Sequence, residues 1–243
     1  MDDETTREPE SKGSREYSVE GFTAVELSTA VEFEITQSPE YSVKAIGNDR
    51  LIKRLKAEVH EQTLKVRLSH GLSFISGIGL DDNVKVIITM PQLSKLATSG
   101  ACKGTAKGFR SSDDLEIDLS GAGRAEIDME AGRTDIEVSG AGKLSGVLKA
   151  QKTEIELSGA SHCVLSGKGG NTSLDVSGAS RADLSEFDMN DSDIDLSGAS
   201  RVKIRMDGKL NADLSGASSL EYSGNVVLGN TSTSGASRLK QAS

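Results

Sequence analysis

The chain contains no tryptophan, and aromatic residues make up only 3% of its 243 positions. A conventional globular core of that length calls for more large side chains, so the interior is expected to be narrow and filled by Val, Ile, Leu and Ala. Histidine is scarce too. His60, His70 and His162 fall on different elements, and no two stand at metal-ligand spacing. Serine–histidine catalysis would need a third, orienting group, and nothing singles out one serine among many. No apolar run approaches the roughly twenty residues of a membrane-spanning helix. Acidic residues number 37 against 28 basic ones, for a formal net charge of -9. Phosphate recognition needs clustered Lys and Arg, so this balance argues against a nucleic-acid partner.

The opening residues, from Met1-Asp2-Asp3-Glu4, lack the apolar segment of a signal peptide. Either the protein is cytoplasmic, or an export signal has been removed and a start Met supplied. Residues 1–18 are charged and poor in apolar side chains, which predicts a disordered tether or leader.

What the chain has is repetition. Ser-Gly-Ala occurs eight times, starting at Ser99, Ser120, Ser139, Ser158, Ser177, Ser197, Ser215 and Ser234. By subtraction the steps are 21, 19, 19, 19, 20, 18 and 19 residues. A period near twenty, held over more than half the chain, marks a solenoid. Within one unit, Thr134-Asp135-Ile136-Glu137-Val138 alternates apolar with charged residues, as a strand with one buried face does. Glycine then permits a sharp corner, with Ala and Ser small enough to stack inside it. A second short strand follows, as in Arg181-Ala182-Asp183-Leu184. Such a unit is too short for β-α-β, which needs roughly thirty residues.

The expected fold is therefore all-β. It is a single-chain parallel β-helix (β-solenoid) of about eight coils, right-handed by the general preference of parallel strand connections. Residues 93–243 form the repeat. Residues 19–92 form an N-terminal β-rich region capping it, with strands at Gly21–Leu27, Val31–Thr36, Tyr41–Ala45 and Asn83–Met90. Asn48 or Asp49 is placed to cap a short helix through Leu51, Ile52 and Leu55. Lys56–His60 and Thr63–Leu68 are expected to form a hairpin turning at Glu61-Gln62. The apolar, Gly-rich loop Gly71–Gly79 has no Lys-Ser or Lys-Thr after its glycines, so it is no P-loop. It suits packing over the solenoid end or a partner contact. Coils spaced about 4.8 Å apart give a rod of roughly 35–40 Å, and put Cys102 and Cys163 roughly 14 Å apart along it. That separation excludes a disulfide between them. The last coil is followed by only three residues after Lys240 and is expected to be open, a template for pairing that Arg238 and Lys240 could blunt.

In-register stacking turns each repeat position into a column. One outward column holds Glu116, Asp135, Glu154 and Asp193, interrupted by Ser173 and Asn211. Its neighbour holds Asp118, Glu137, Glu156, Asp175, Asp195 and Asp213. Two bare charges about 4.8 Å apart in water repel by roughly 0.9 kcal/mol, less with salt. Beyond the Ser-Gly-Ala corner runs a basic column of Lys103, Arg124, Lys143, His162, Arg181, Arg201 and Arg238, broken by Ser219. These faces have two readings. They keep the rod soluble and discourage sideways pairing, or the ten carboxylates form a binding face for divalent cations or a charged polymer. Oxygen ligands suit calcium in kind, yet no Asp-x-Asp-x-Asp-Gly loop is present. No catalytic residue, resident metal or other cofactor is expected.

The sequence resembles the bacterial "putative autotransporter adhesin, head GIN domain" family over about residues 19–243. The resemblance rests on Phe22…Val25-Glu26-Leu27…Val31-Glu32-Phe33-Glu34-Ile35-Thr36-Gln37. It continues through Leu51-Ile52…Leu55…Val59…Thr63-Leu64-Lys65-Val66 and the Leu-Ser-Gly-Ala-Ser repeats. No Gly-Ile-Asn tripeptide occurs, so the residues behind the family's name do not carry over. The resemblance implies an exported β-helical protein of the cell envelope or exterior, often a lipoprotein, with a role in adhesion. The leading functional expectation is thus a non-enzymatic interaction module that binds a cell-surface polymer or protein. The alternatives are an envelope scaffold that assembles end to end through the open last coil, and a polysaccharide-acting β-helix enzyme. Such an enzyme would need a cleft with distinct acid and base groups, and the solenoid's only aromatics are Phe109, Phe187 and Tyr222.

Overall fold

The structure is a computed structural model that describes residues 12–69 and 84–242. The loop Gly71–Gly79, His70, residues 1–11 of the expected tether and Asn83 lie outside the described residues. The N-terminal part comprises β1 (Lys12–Tyr17), β2 (Ala24–Leu27), β3 (Glu32–Gln37), β4 (Ser42–Asn48), α1 (Asp49–Arg54), β5 (Leu55–His60), β6 (Thr63–Leu68) and β7 (Val84–Met90). The repeat follows as β8 (Lys95–Thr98), β9 (Lys103–Arg110), β10 (Leu115–Leu119), β11 (Arg124–Glu130), β12 (Arg133–Val138), β13 (Lys143–Lys149) and β14 (Lys152–Leu157). It ends with β15 (His162–Val176), β16 (Arg181–Leu196), β17 (Arg201–Met206), β18 (Gly208–Leu214), β19 (Ser219–Ser223), β20 (Val226–Thr233) and β21 (Arg238–Gln241). All join one 21-stranded sheet wound into a parallel β-solenoid.

Each turn has one strand entering the Ser-Gly-Ala corner and one leaving it. The alternation read in the sequence becomes columns of buried side chains. Ile117, Ile136, Ile155, Leu174, Ile194 and Ala212 pair in register along the entering strands. Leu119, Val138, Leu157, Val176, Leu196 and Leu214 form the next column, and all twelve are buried. No turn buries this face by itself, so its stability comes from its neighbours.

The corner explains the tripeptide. Every Ser-Gly-Ala glycine has φ between 69° and 89°. A Cβ on Gly178 would lie 2.4 Å from the carbonyl oxygen of Gly159 in the turn before. Glycine is thus required both by backbone angle and by contact. The alanine N–H then donates to the preceding turn's glycine carbonyl, as Ala179 does to Gly159 at 2.7 Å. One detail differs from expectation. The tripeptide itself sits at the surface, and the small buried residue of the corner is the fourth one: Cys102, Ser161, Ser180, Ser200 and Ser218. Ser161 Oγ donates to Ser180 Oγ at 3.1 Å.

The expected boundary at residue 93 is revised. Strand β2 pairs in parallel with β6 on one side and β8 on the other. Strand β3 does the same with β7 and β9. Thus β2–β3 and β6–β7 are two further rungs of the solenoid, and chain order and stacking order part company here. The sequence hides this because the β2–β3 corner reads Ser28-Thr29-Ala30. Thr29 takes the glycine position with φ 80°, and its carbonyl accepts from Ala101 N–H. A threonine in this region is strained. Thr29→Gly should therefore raise stability by about 1 kcal/mol, read from urea denaturation.

The cap proper is β1, β4, α1 and β5. Strands β4 and β5 lie antiparallel to β7 and β6. The expected hairpin turns at Glu61 and Gln62, both with positive φ, the requirement of a type I′ turn. Asn48 caps α1 by accepting from Arg50 N–H at 2.9 Å, and Leu51 and Ile52 are buried under it. The tether expectation fails for Lys12–Tyr17, which pairs antiparallel with β4. Backbone pairing, a Lys44–Glu16 contact at 3.1 Å and a Tyr17 hydroxyl bond to the Leu55 carbonyl hold this polar segment.

Cys102 and Cys163 are both free and buried. Burial pushes the Cys163 thiol up to about 12. A buried, protonated thiol is a poor nucleophile. A maleimide should therefore fail to modify Cys163 in the folded chain and modify it fully in denaturant, as mass spectrometry would show.

Candidate functional site

The entering strands place the ten predicted carboxylates on one face, in the register the sequence implies. Glu116, Asp135, Glu154, Ser173, Asp193 and Asn211 form one column. Asp118, Glu137, Glu156, Asp175, Asp195 and Asp213 form the other. Shallow furrows of about 260 Å³ and 220 Å³ run between them, one at Glu116–Glu156 and one at Asp193–Asp213.

The two columns differ in a way the sequence does not display. The first is compensated. Lys95 reaches Glu116 at 2.6 Å, Arg133 bridges Asp135 at 2.9 Å and Glu154 at 2.8 Å, and Lys152 adds a contact to Glu154 at 2.7 Å. Asn211 donates to Asp193 at 2.7 Å. The Lys152 hydrogen bond and the nearby Arg133 charge hold the Glu154 carboxyl below its usual range. The second column is bare. Among the described residues, Glu137, Glu156, Asp175, Asp195 and Asp213 make no salt bridge or side-chain hydrogen bond. Partial burial, then the charges of Asp175, Asp213 and Asp193, raise the Asp195 carboxyl above its ordinary value.

Across the exposed corner, the basic column is also in register: Lys103, Arg124, Lys143, His162, Arg181, Arg201, Ser219 and Arg238. The charges that perturb Asp195 are all acidic. The surface is thus a neutral Ser-Gly-Ala ridge with a bare anionic ladder on one flank and a cationic one on the other.

A further feature was not read from the sequence. At the opposite corner, where leaving strands give way to entering ones, lies a depression of about 590 Å³. Its wall includes Lys168, Asp188, Asn190, Arg205, Asp207 and Asn225. Arg205 and Asp188 pair at 3.2 Å within it. These residues fall where the repeat period slips, so no column pattern announces them. No aromatic side chain lines it to stack on a sugar ring.

Among the described residues, no group of three or more His, Cys, Asp or Glu side chains is arranged to hold a metal ion. No helix among them is long and apolar enough to cross a membrane.

Solved structures similar to this chain share its fold. A putative adhesin from Parabacteroides merdae ATCC 43184 has a TM-score of 0.84 at 15% identity, with 96% of each chain covered. A putative lipid binding protein from Parabacteroides distasonis ATCC 8503 has a TM-score of 0.83 at 16% identity, covering 96% of this chain and 97% of the other. A putative adhesin from Bacteroides fragilis NCTC 9343 has a TM-score of 0.72 at 18% identity, with the same coverage. No curated protein matches the chain. The sequence profile described as "Putative auto-transporter adhesin, head GIN domain" matches residues 21–147 and 129–226, and the chain belongs to that family.

Proposed function

We propose that the chain is an exported, non-enzymatic interaction module of the cell envelope or exterior, and that its bare carboxylate column is a recognition strip for a cell-surface polymer or protein. The observation that carries this reading is the contrast between the two columns. Bases that neutralise the first column are within reach of the fold, yet the second is left without a salt bridge over the five rungs from Glu137 to Asp213. Solubility alone is served by dispersed charges of both signs. A straight ladder with a rung every ~4.8 Å instead matches a partner that repeats along its length. Divalent cations such as calcium would act here as exchangeable bridges between rungs and polymer. The family's adhesin description and the two adhesin structures support the same reading.

The test is retention of the purified chain on a panel of immobilised glycans and envelope polymers, with calcium or with chelator, at low and high salt. Binding that weakens with salt is expected, because exposed charges are screened beyond about 8 Å at physiological ionic strength. Turnover of any panel polymer into shorter products would replace this reading with the enzyme alternative.

A further inference from the structure

The two ends of the solenoid are built differently. At one end β4 and β5 lie antiparallel on β7 and β6, with β1 paired outside β4. At the other end β20 pairs only with β18, and β21 only with β19. Nothing among the described residues covers their outer edges.

Two independent observations mark β20. The first is its backbone edge. The strand, Val226–Thr233, reads VVLGNTST, with no charge and no proline. Edge strands of soluble proteins are ordinarily blunted by such residues. Its one irregularity, at Gly229-Asn230 opposite Asn211, leaves regular segments on both sides. The second observation is the core. Leu210, Ala212 and Leu214 are buried, and their partners in the last turn are Leu228, Thr231 and Thr233. Leu228 is 49% exposed although it continues an inward column, and its neighbour Val227 is 66% exposed. The final core layer is open.

We propose that this end is a self-association surface, where two copies meet tail to tail about a two-fold axis with their β20 strands antiparallel. At the opposite end the outer strands are β1, paired outside β4, and β5, paired with β6. Both carry charged residues, KGSREY and LKAEVH, as blunted edges do, so the uncharged β20 meets its own counterpart rather than that end. A two-fold contact of this kind closes at two copies. A second copy is the fitting occupant because an uncharged edge meets its own counterpart without repulsion. Strand β21 would set Arg238 and Lys240 near like charges, so pairing centres on β20. Thr231 and Thr233 stand where the turn two steps earlier carries Ile194 and Leu196. A layer so tolerant of water makes the association reversible. The dimer does not depend on polymer recognition: it is measured without polymer, and survives a failed binding panel.

The experiment is sedimentation equilibrium of the full chain from about 1 to about 500 µM, a range that brackets a reversible dimer. A monomer–dimer equilibrium with no larger species is expected. Leu228→Lys should raise the dissociation constant about tenfold or more, by burying charge against its own copy. Val164→Lys, at an exposed site in mid-solenoid, should leave it unchanged. Should Leu228→Lys misfold by circular dichroism, Thr231→Lys, at an exposed position, repeats the test. Nitroxides on Asn225→Cys should report a short distance between copies, and nitroxides on Arg50→Cys should not. A monomer throughout that range, open-ended filaments, or a dimer indifferent to both lysine variants would overturn the proposal.

Discussion

Gly178→Ala is expected to lower the unfolding free energy by about 3 kcal/mol or more, the sum of a backbone cost and a contact cost. The backbone cost arises from φ 72°. The contact cost arises from the 2.4 Å approach of the new Cβ to the Gly159 carbonyl oxygen. That carbonyl accepts from Ala179 N–H, so it cannot retreat without loosening the ladder. Gly108→Ala separates the two terms. Gly108 has φ 88°, but nothing lies within 4 Å of its Cβ position. It should cost only about 1–2 kcal/mol. Urea denaturation of both variants decides the matter. Equal losses would mean that the stacked corner is not what makes glycine necessary.

Neutralising the bare ladder should do the opposite. With Glu137→Gln, Glu156→Gln, Asp175→Asn and Asp195→Asn together, no two adjacent rungs from Asp118 to Asp213 keep like charges. Each of the five contacts removed costs roughly 0.5 kcal/mol at physiological salt, so the variant should gain about 2.5 kcal/mol and lose the gain as salt rises. The pH dependence has a definite sign. Partial burial and the neighbouring acidic charges raise the Asp195 carboxyl above its ordinary value, so the folded chain holds that proton to higher pH than the unfolded chain. The penalty is absent below the unfolded value and complete above the folded one. Stability from this group therefore falls as pH rises through that window. Glu154 is shifted the other way by Lys152 and Arg133. Its contribution is present above its unfolded value and disappears as pH falls through the folded one. Thermal scans of Asp195→Asn and Glu154→Gln at pH 7 should accordingly move the midpoint up and down respectively. A drop for Asp195→Asn would mean the ladder is compensated by something not visible in the side-chain geometry.

The repeat was legible because alternation and a fixed period are local and survive in one dimension. Ile136, Ile155 and Leu174 announce their column by spacing alone, and so do Glu137, Glu156 and Asp175. The first rungs were not legible, because a threonine stands in the glycine position at Thr29 and the chain visits its turns out of order. Strand β1 carries no alternating apolar signal, because its partner's backbone, and not its own apolar side chains, makes it a strand. Within the site, the columns could be read from register. Their inequality could not, since it depends on where Lys95, Arg133 and Lys152 reach in space. The depression at Lys168, Asp188 and Arg205 sits at the irregular corner, where the repeat gives no pattern to follow.

The central claim is that the bare column, and not acidity in general, recognises a partner. The most direct measurement compares two neutralised chains on the same polymer panel. One carries Glu137→Gln, Glu156→Gln, Asp175→Asn and Asp195→Asn. The other carries Glu116→Gln, Asp135→Asn and Glu154→Gln, which neutralises the salt-bridged carboxylates of the compensated column instead. The account predicts that the first loses binding while remaining folded, and that the second keeps it. Retained binding by the first, or equal loss by both, would contradict it and return the ladder to a general solubilising role.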